Sequence, residues 1–512
     1  MNRSRYILAL VLVALTGYIS LSYEILWIRL YSFLSGSRAW AFGALLGSYL
    51  MGLAFGSLWS LRYQGDGQGD RELKALAVFV LAANVIGFAL VPTVSWLVVS
   101  IDWLYTLPLV VLAAALLGAA LPLICHFSIP ADENAGARLS YLYLVNIIGS
   151  GLGSLFTGFW LMDTMTMAEI SILLSILGIA MALGVAYLSG VRGKQMTAWS
   201  GGGILAIALA LTLGPTLFSG LYERLQFQKD YTPDTEFAVV VESRFGVITI
   251  DEDNYIYGGG IYDGYLGTEL SPESWMVRPY FLSAVVEQPK DILMIGLSGG
   301  TWAQIISSHP QVEHVSAVEI NAAYHERVIP QVESTKSILN NSKVNIIVDD
   351  GRRWLRRHPE RKFDAVIVNT TFHWREHASS LLSQEFMELI KAHLKPGGIF
   401  QFNTTGSDRA ALTAATVFED AYLFVNNVIA SNDEITFDRE RWAQVLRAYQ
   451  IDGHPVFTPD RYAEIDEIVS MLDHIGVRDI EQHRRLLTKA QILSDSRGLS
   501  VITDDNLGHE FD

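Results

Sequence analysis

The chain has 512 residues, half of them hydrophobic and 18% charged, with a formal net charge of -16. The length is enough for more than one domain, and an acidic balance gives no basic footprint for nucleic acid. The single cysteine, Cys125, rules out an intramolecular disulfide and any cysteine-built zinc site, and no metal site is expected.

Through about Ser219 the sequence is a series of apolar blocks, each near the ~20 residues a bilayer-spanning helix needs. Seven spans are predicted: Tyr6 to Leu26, Ala39 to Leu61, Ala75 to Val99, Leu104 to Phe127, Tyr141 to Met162, Ala168 to Leu188 and Ala198 to Phe218. The first opens on MNRSR and an apolar run, as a signal peptide does. No small-residue cleavage site follows and the run continues into SYEILWIRL, so it reads as an uncleaved helix.

Basic residues fall on alternate loops: Arg3 and Arg5, then Arg62, Arg71 and Lys74, then Arg138, then Arg192 and Lys194. Those loops are expected in the cytoplasm, and only Arg29 and Arg38 break the pattern. A multi-pass protein of the cell (inner) membrane is predicted, and seven spans put its C-terminal half outside the cytoplasm. In the membrane half, Glu24 and Arg29, about one helical turn apart near an interface, read as side chains that snorkel to it. Asn146 reads as helix glue, and Gly52 with Gly56 and Gly149 with Gly153 as sites of close helix packing. No cluster of ion-binding groups indicates transport.

After a linker, FAVVVES, GVITID and NYIYG alternate around turn signals such as Asp251-Glu252-Asp253-Asn254, the pattern of a small antiparallel sheet. From Asp291 apolar strands alternate with helical stretches: DILMIGL then WAQIISSH, HVSAVEI then AAYHERVIPQV, VNIIVDD then RRWLRRH, FDAVIVN then SQEFMELIKAHL, and GGIFQFN then a further helix. That rhythm predicts a parallel sheet covered on both faces, with ligands beyond the carboxyl ends of its strands. The expected organisation is an all-α transmembrane bundle over 1–219, a linker and small antiparallel β-domain over 220–290, and an α/β Rossmann-like domain over 291–512.

Three strand ends carry chemistry. The first closes in Gly296-Leu297-Ser298-Gly299-Gly300, where bare backbone can approach a ligand, although a tight strand-to-helix turn also wants glycine for packing. The second ends in Glu319, spaced as a ribose-hydroxyl acceptor is, or as a plain surface acid. The third ends in Asp349-Asp350-Gly351, an adenine contact or a helix cap. In order on consecutive strands, the three favour an adenosine pocket.

These segments resemble a known family. GLSGG, VEIN, DDGRRWL and the run FDAVIVN…LLSQEFMELIKAHLKPGGIFQFN are similar, in order and spacing, to the catalytic domain of spermidine synthases, the polyamine aminopropyltransferases. The tail Thr503-Asp504-Asp505-Asn506 resembles the ending of the membrane-fused branch of that family. SYEILWIRL, GLAFGSL and LYLVNIIGSGLGSLFTGFWLM resemble the membrane domain fused to such domains in bacteria, sometimes likened to half of a major-facilitator transporter.

The resemblance implies a small β-domain ahead of a methyltransferase-type domain, decarboxylated S-adenosylmethionine as donor, and self-association as a homodimer. It puts Gly296, Ser298 and Gly299 in the donor turn, Glu319 on the ribose, and Asp350 with Gly351 on the adenine. The amine half of the site departs from the family. An aspartate that grips the donor's amino group is matched by Gly299, and the catalytic aspartate and its companion at the fourth strand end are matched by Asn369 and Phe372. A tyrosine–glutamine pair is matched by Phe245 and Gly246, and a tyrosine–histidine pair by Trp275 and Met276.

A polyamine is a string of ammonium groups, so burying one requires carboxylates, and the attacking amine must lose a proton. Asn369 can do neither job. His373, Glu376 and His377, in the loop after that strand, are candidate bases, or else a solvated surface loop. Asp263 is another candidate for reaching the pocket, in a segment whose glycines and tyrosines equally fit a flexible hairpin. The expected function is therefore group transfer, aminopropyl-type or methyl, from S-adenosylmethionine or its decarboxylated form to an unidentified acceptor at the lipid bilayer. The alternatives are a non-catalytic binding or assembly module, and ordinary spermidine synthesis from putrescine with displaced catalytic groups.

Overall fold

The computed structural model describes residues 3–65, 70–369, 372–479, 481, 485–508 and 510. Of the segments singled out above, Thr370 and Thr371 after the fourth strand lie outside the described residues, as do the first two residues of MNRSR. Two compact units are formed, one of 1–237 with 242–247 and one of 238–241 with 248–512.

The first unit is helical, and seven of its segments are long and apolar enough to cross a membrane. They comprise α1 (Arg3–Ser35), α2 (Ala39–Ser60), α3 (Asp70–Leu97), α4 (Leu107–Gly118) continued by α5 (Ala120–Ser128), α6 (Ala135–Phe156) continued by a π-turn and the short α7 (Met162–Thr164), α8 (Met167–Leu188) and α9 (Gly193–Phe218). The first helix runs past Leu26 to Ser35 because SYEILWIRL continues its apolar face: Tyr23, Leu26, Trp27 and Leu30 are all fully buried.

Small residues set the closest approaches. A β-carbon on Gly17 of α1 would stand 2.7 Å from the Asn146 carbonyl of α6, and β-carbons on Gly149 and Gly153 would collide with the Ala14 and Tyr18 carbonyls. Likewise, one on Gly52 of α2 would stand 2.5 Å from the Val111 carbonyl of α4. Backbones this close gain packing without a hydrophobic driving force, as helices in lipid must. Glu24 differs from expectation: it is buried at 7% exposure, so helix packing rather than snorkelling accommodates it. Arg29 is half-buried and donates to Met162 Sδ at 3.3 Å and to the Arg244 carbonyl, in an exposed turn, at 3.0 Å.

The helix α10 (Leu221–Phe227) leads to four antiparallel strands in the order β1 (Phe237–Ser243), β2 (Gly246–Asp251), β3 (Tyr255–Gly258) and β4 (Ile261–Tyr265). Two short helices, α11 (Val277–Tyr280) and α12 (Leu282–Val285), follow. The main sheet then uses β5 (Asp291–Ile295), β6 (His314–Glu319), β7 (Val344–Val348), β8 (Phe363–Val368) and β9 (Leu394–Asn403), all parallel, in the order β7-β6-β5-β8-β9. Three antiparallel strands extend it beyond β9: β11 (Asn427–Ser431), β10 (Asp420–Phe424) and β14 (Leu486–Thr488). The pair β12 (Gln450–Ile451) and β13 (His454–Pro455) forms a separate ribbon.

Alternate residues of the parallel strands feed two cores. Ile292, Met294, Ala317 and Ile367 join one cluster, while Leu293, Ile295, Val318 and Val366 join the other. Both faces are thus covered, as continuous apolar strands require. The helices α13 (Thr301–Ser308), α14 (Gly351–Arg357), α15 (Gln384–Lys391) and α16 (Asp408–Val417) match the helical stretches of the sequence. AAYHERVIPQV is the exception: it forms a π-turn over Tyr324–Val328 and a 3-10 turn over Ile329–Gln331. Pro330 has no N–H and its ring clashes with the preceding turn, so a regular α-helix is interrupted there.

Candidate functional site

In the order β7-β6-β5-β8-β9 the strand order reverses between β5 and β8, the switch point beyond whose carboxyl ends open α/β sheets bind ligands. The turn after β5 is tight. Gly296 has φ +87°, Ser298 is left-handed at φ +50°, and a β-carbon on Gly296 would stand 2.9 Å from the Asn369 carbonyl at the end of β8. The two strand ends therefore meet backbone to backbone, which only glycine at 296 permits. A cavity of about 370 Å³ opens beside this turn. Ser298, Gly299, Asn369 and Phe372 line it, as do Thr405 from beyond β9 and Asp263 of β4.

Glu319 lies beneath the turn rather than on the cavity wall. Its carboxylate accepts from Leu297 N at 2.8 Å and from Asn321 N at 2.8 Å. Burial pushes the Glu319 carboxyl up, opposed by those backbone N–H groups. The acid therefore props the glycine-rich turn from inside.

Asp350 caps α14: its side chain accepts from Arg353 N at 2.6 Å. Gly351 follows because a β-carbon there would stand 2.5 Å from Ile295 Cγ2. Neither residue lines the cavity. The C-terminal tail folds back onto this region, where Asp504 accepts from Arg352 Nη1 and from Ser383 Oγ, each at 2.7 Å.

The three candidate bases separate. His373 is half-buried, and both its backbone N and Nδ1 lie 2.9 Å from Thr405 Oγ1, which faces the cavity. Glu376 and His377 are exposed and face each other at 3.5 Å. His373 alone of the three is tied to a cavity-lining side chain.

Asp263 is the one carboxylate among the described lining residues, and Tyr324 donates to its Oδ2 at 2.6 Å. Burial and then the Asp263 charge raise the Tyr324 hydroxyl well above its ordinary value, so it remains a donor. Trp275 and Met276 line the cavity as well, whereas Phe245 lies in the β1–β2 turn and Gly246 opens β2, both among the residues 242–247 that group with the helical unit.

Two features were not read from the sequence. Leu266 stands where a β-carbon on Gly299 would go, so a side chain at that position would meet a leucine. Arg278 also lines the cavity, beside Trp275 and Trp302. A lone arginine in the apolar stretch WMVRPYF was the available signal for it.

A family model described as the spermine/spermidine synthase domain matches residues 280–428. A polyamine aminopropyltransferase 2 of Hyperthermus butylicus is 24% identical over 256 residues, covering 46% of this chain and 79% of that protein. A polyamine aminopropyltransferase of Mycobacterium tuberculosis is 27% identical over 311 residues, 56% of this chain and 56% of that protein, so here the chain spans about half of its relative. Among solved structures, a spermidine synthase from Thermotoga maritima aligns at 17% identity over 45% of this chain and 87% of that chain, with a TM-score of 0.34.

Proposed function

We propose that this chain, whose residues 280–428 carry a spermine/spermidine synthase domain, is a membrane-anchored transferase that moves a group from an S-adenosylmethionine-type donor to an acceptor other than a free polyamine. The observation that carries the reading is the cavity beside the Gly296–Gly300 turn, at the crevice where open α/β sheets bind ligands. Its wall has Gly299, Asn369 and Phe372 where an amine site would have carboxylates. A polycation buried there would leave its charges largely unpaired, which is costly. Glu319 reaches the donor's ribose if the turn amides release one of its oxygens on binding.

Calorimetry on the full-length protein in detergent tests this with S-adenosylhomocysteine and 5′-methylthioadenosine. The expected result is binding in the range of about 1–100 μM. Absence of heat with both ligands would sink the adenosyl reading.

The anchor is the helical unit, whose large side chains Leu58, Leu152, Phe159 and Ile204 are outward-facing and exposed, as lipid contact demands. The basic loops favour the cytoplasm and seven spans, with the C-terminal half outside. That parity favours a second reading, a non-catalytic binding or assembly module, because cytosolic adenosyl donors do not reach the outer side. Turnover of any methyl or amine acceptor by purified protein would refute the module. Association of two copies is part of the proposal and rests on the resemblance alone.

A further inference from the structure

Arg278 is the cation of the cavity wall. Its Nε donates to the Trp275 carbonyl at 2.8 Å and its Nη1 to Asn426 Oδ1 at 3.0 Å. Both acceptors are neutral. Among the described residues no carboxylate forms an ion pair with it, and its Nη2 makes no hydrogen bond. The guanidinium carbon lies 5.4 Å from the Trp302 ring centroid and 5.9 Å from that of Trp275.

The supports of this group are themselves fixed. Gln401 Nε2 donates to the Arg278 carbonyl at 3.0 Å, and Asn426 Nδ2 donates to Asn403 Oδ1 at 3.1 Å, which turns the Asn426 oxygen toward the arginine. Desolvation lowers Arg278 to about 10, so it remains charged at neutral pH. Asp263, the one carboxylate among the described lining residues, is engaged by Tyr324 instead.

A desolvated cation held by neutral groups in a ligand-sized cavity is costly unless an anion arrives to meet it. A guanidinium with a free edge fits a carboxylate through its planar fork of donors. We propose that Arg278 is an anion subsite of this cavity and that the ligand seated there carries a carboxylate. This rests on the transferase reading and deepens it, since the charge preference of the site is then the reverse of that of an amine pocket. The carboxylate has two sources: the α-carboxylate of S-adenosylmethionine, which makes the donor the intact rather than the decarboxylated form, or a carboxylate of the acceptor.

The test is calorimetry on the full-length protein and its R278Q and R278K variants. The probes are 5′-methylthioadenosine, S-adenosylhomocysteine, decarboxylated S-adenosylhomocysteine, and succinate titrated into protein saturated with methylthioadenosine. If the donor supplies the carboxylate, S-adenosylhomocysteine binds wild type about ten-fold or more tighter than its decarboxylated form, and R278Q abolishes that difference without changing methylthioadenosine. If the acceptor supplies it, R278Q leaves all three adenosyl probes unchanged and weakens succinate about ten-fold. R278K, which keeps the charge but loses the fork, gives an intermediate loss in either case and serves alone if R278Q does not fold.

The subsite is overturned if R278Q or R278K binds every probe as wild type does, or if wild type shows neither the carboxylate preference nor succinate binding. Failure of both methylthioadenosine and S-adenosylhomocysteine defeats the adenosyl reading, and succinate, titrated without them, still decides the subsite.

Discussion

An aspartate at position 299 would enter a space that a leucine already fills. The β-carbon would collide with Leu266 Cδ2, and Leu266 is itself buried at 3% exposure between the turn and β3. Gly299→Asp is expected to destabilise the protein by about 1–3 kcal/mol through overpacking and a carboxylate set among apolar neighbours. Gly299→Asp with Leu266→Ala should recover part of that loss. Thermal melting of both variants in detergent checks this, and equal melting temperatures for Gly299→Asp and wild type would show that the space is open. The sequence exposed the missing acid as a glycine. It gave no view of Leu266, 33 positions earlier, because which apolar side chain fills a vacated volume is set by packing rather than by pattern.

At the scale of elements, His309 after α13 shows how burial sets a pH response. It is 1% exposed, its ring meets Tyr449 edge-on, and Gln311 N donates to its Nδ1 at 3.2 Å. Desolvation, helped by Lys343, lowers it from 6.5 to about 4. The folded state therefore holds His309 neutral while the unfolded chain protonates near 6.5. Its contribution is fully present above 6.5 and is lost as pH falls toward about 4, up to about 3 kcal/mol. Melting temperatures of wild type and His309→Gln between pH 7 and pH 4 measure it. The variant should lose less stability across that window, and parallel curves would remove His309 as the cause.

The strands and most helices of this half were legible because their apolar patterns are local and complete within a few residues. The turn at Tyr324–Gln331 was not, although Pro330 announced a break. Its irregular path helps to bring Tyr324 to Asp263, a contact between residues 61 positions apart.

For the whole molecule, the decisive quantity is the side of a membrane on which the proposed anchor places the C-terminal half. Replacing Cys125 and introducing Asp230→Cys gives a single labelling site in the connection after α9. With seven spans and basic loops inside, an impermeant maleimide is expected to label intact cells. Labelling only after lysis would reverse the parity and favour the proposed transferase reading, whose donor is cytosolic.

Hydropathy and spacing by themselves determined seven apolar helices, the alternation of strands and helices from Asp291, and the neutral residues Gly299 and Asn369 at two strand ends. These are properties of short windows, and the physics that makes them, burial of an apolar face and the conformational needs of a turn, acts over the same short range. Tertiary structure alone decided that Glu319 props the turn from below, that Asp350 uses its carboxylate as a helix cap, and that Arg278 stands on the cavity wall with only neutral partners among the described residues. Those outcomes depend on which groups meet across tens to hundreds of residues, and a buried charge takes its meaning from what lies opposite it.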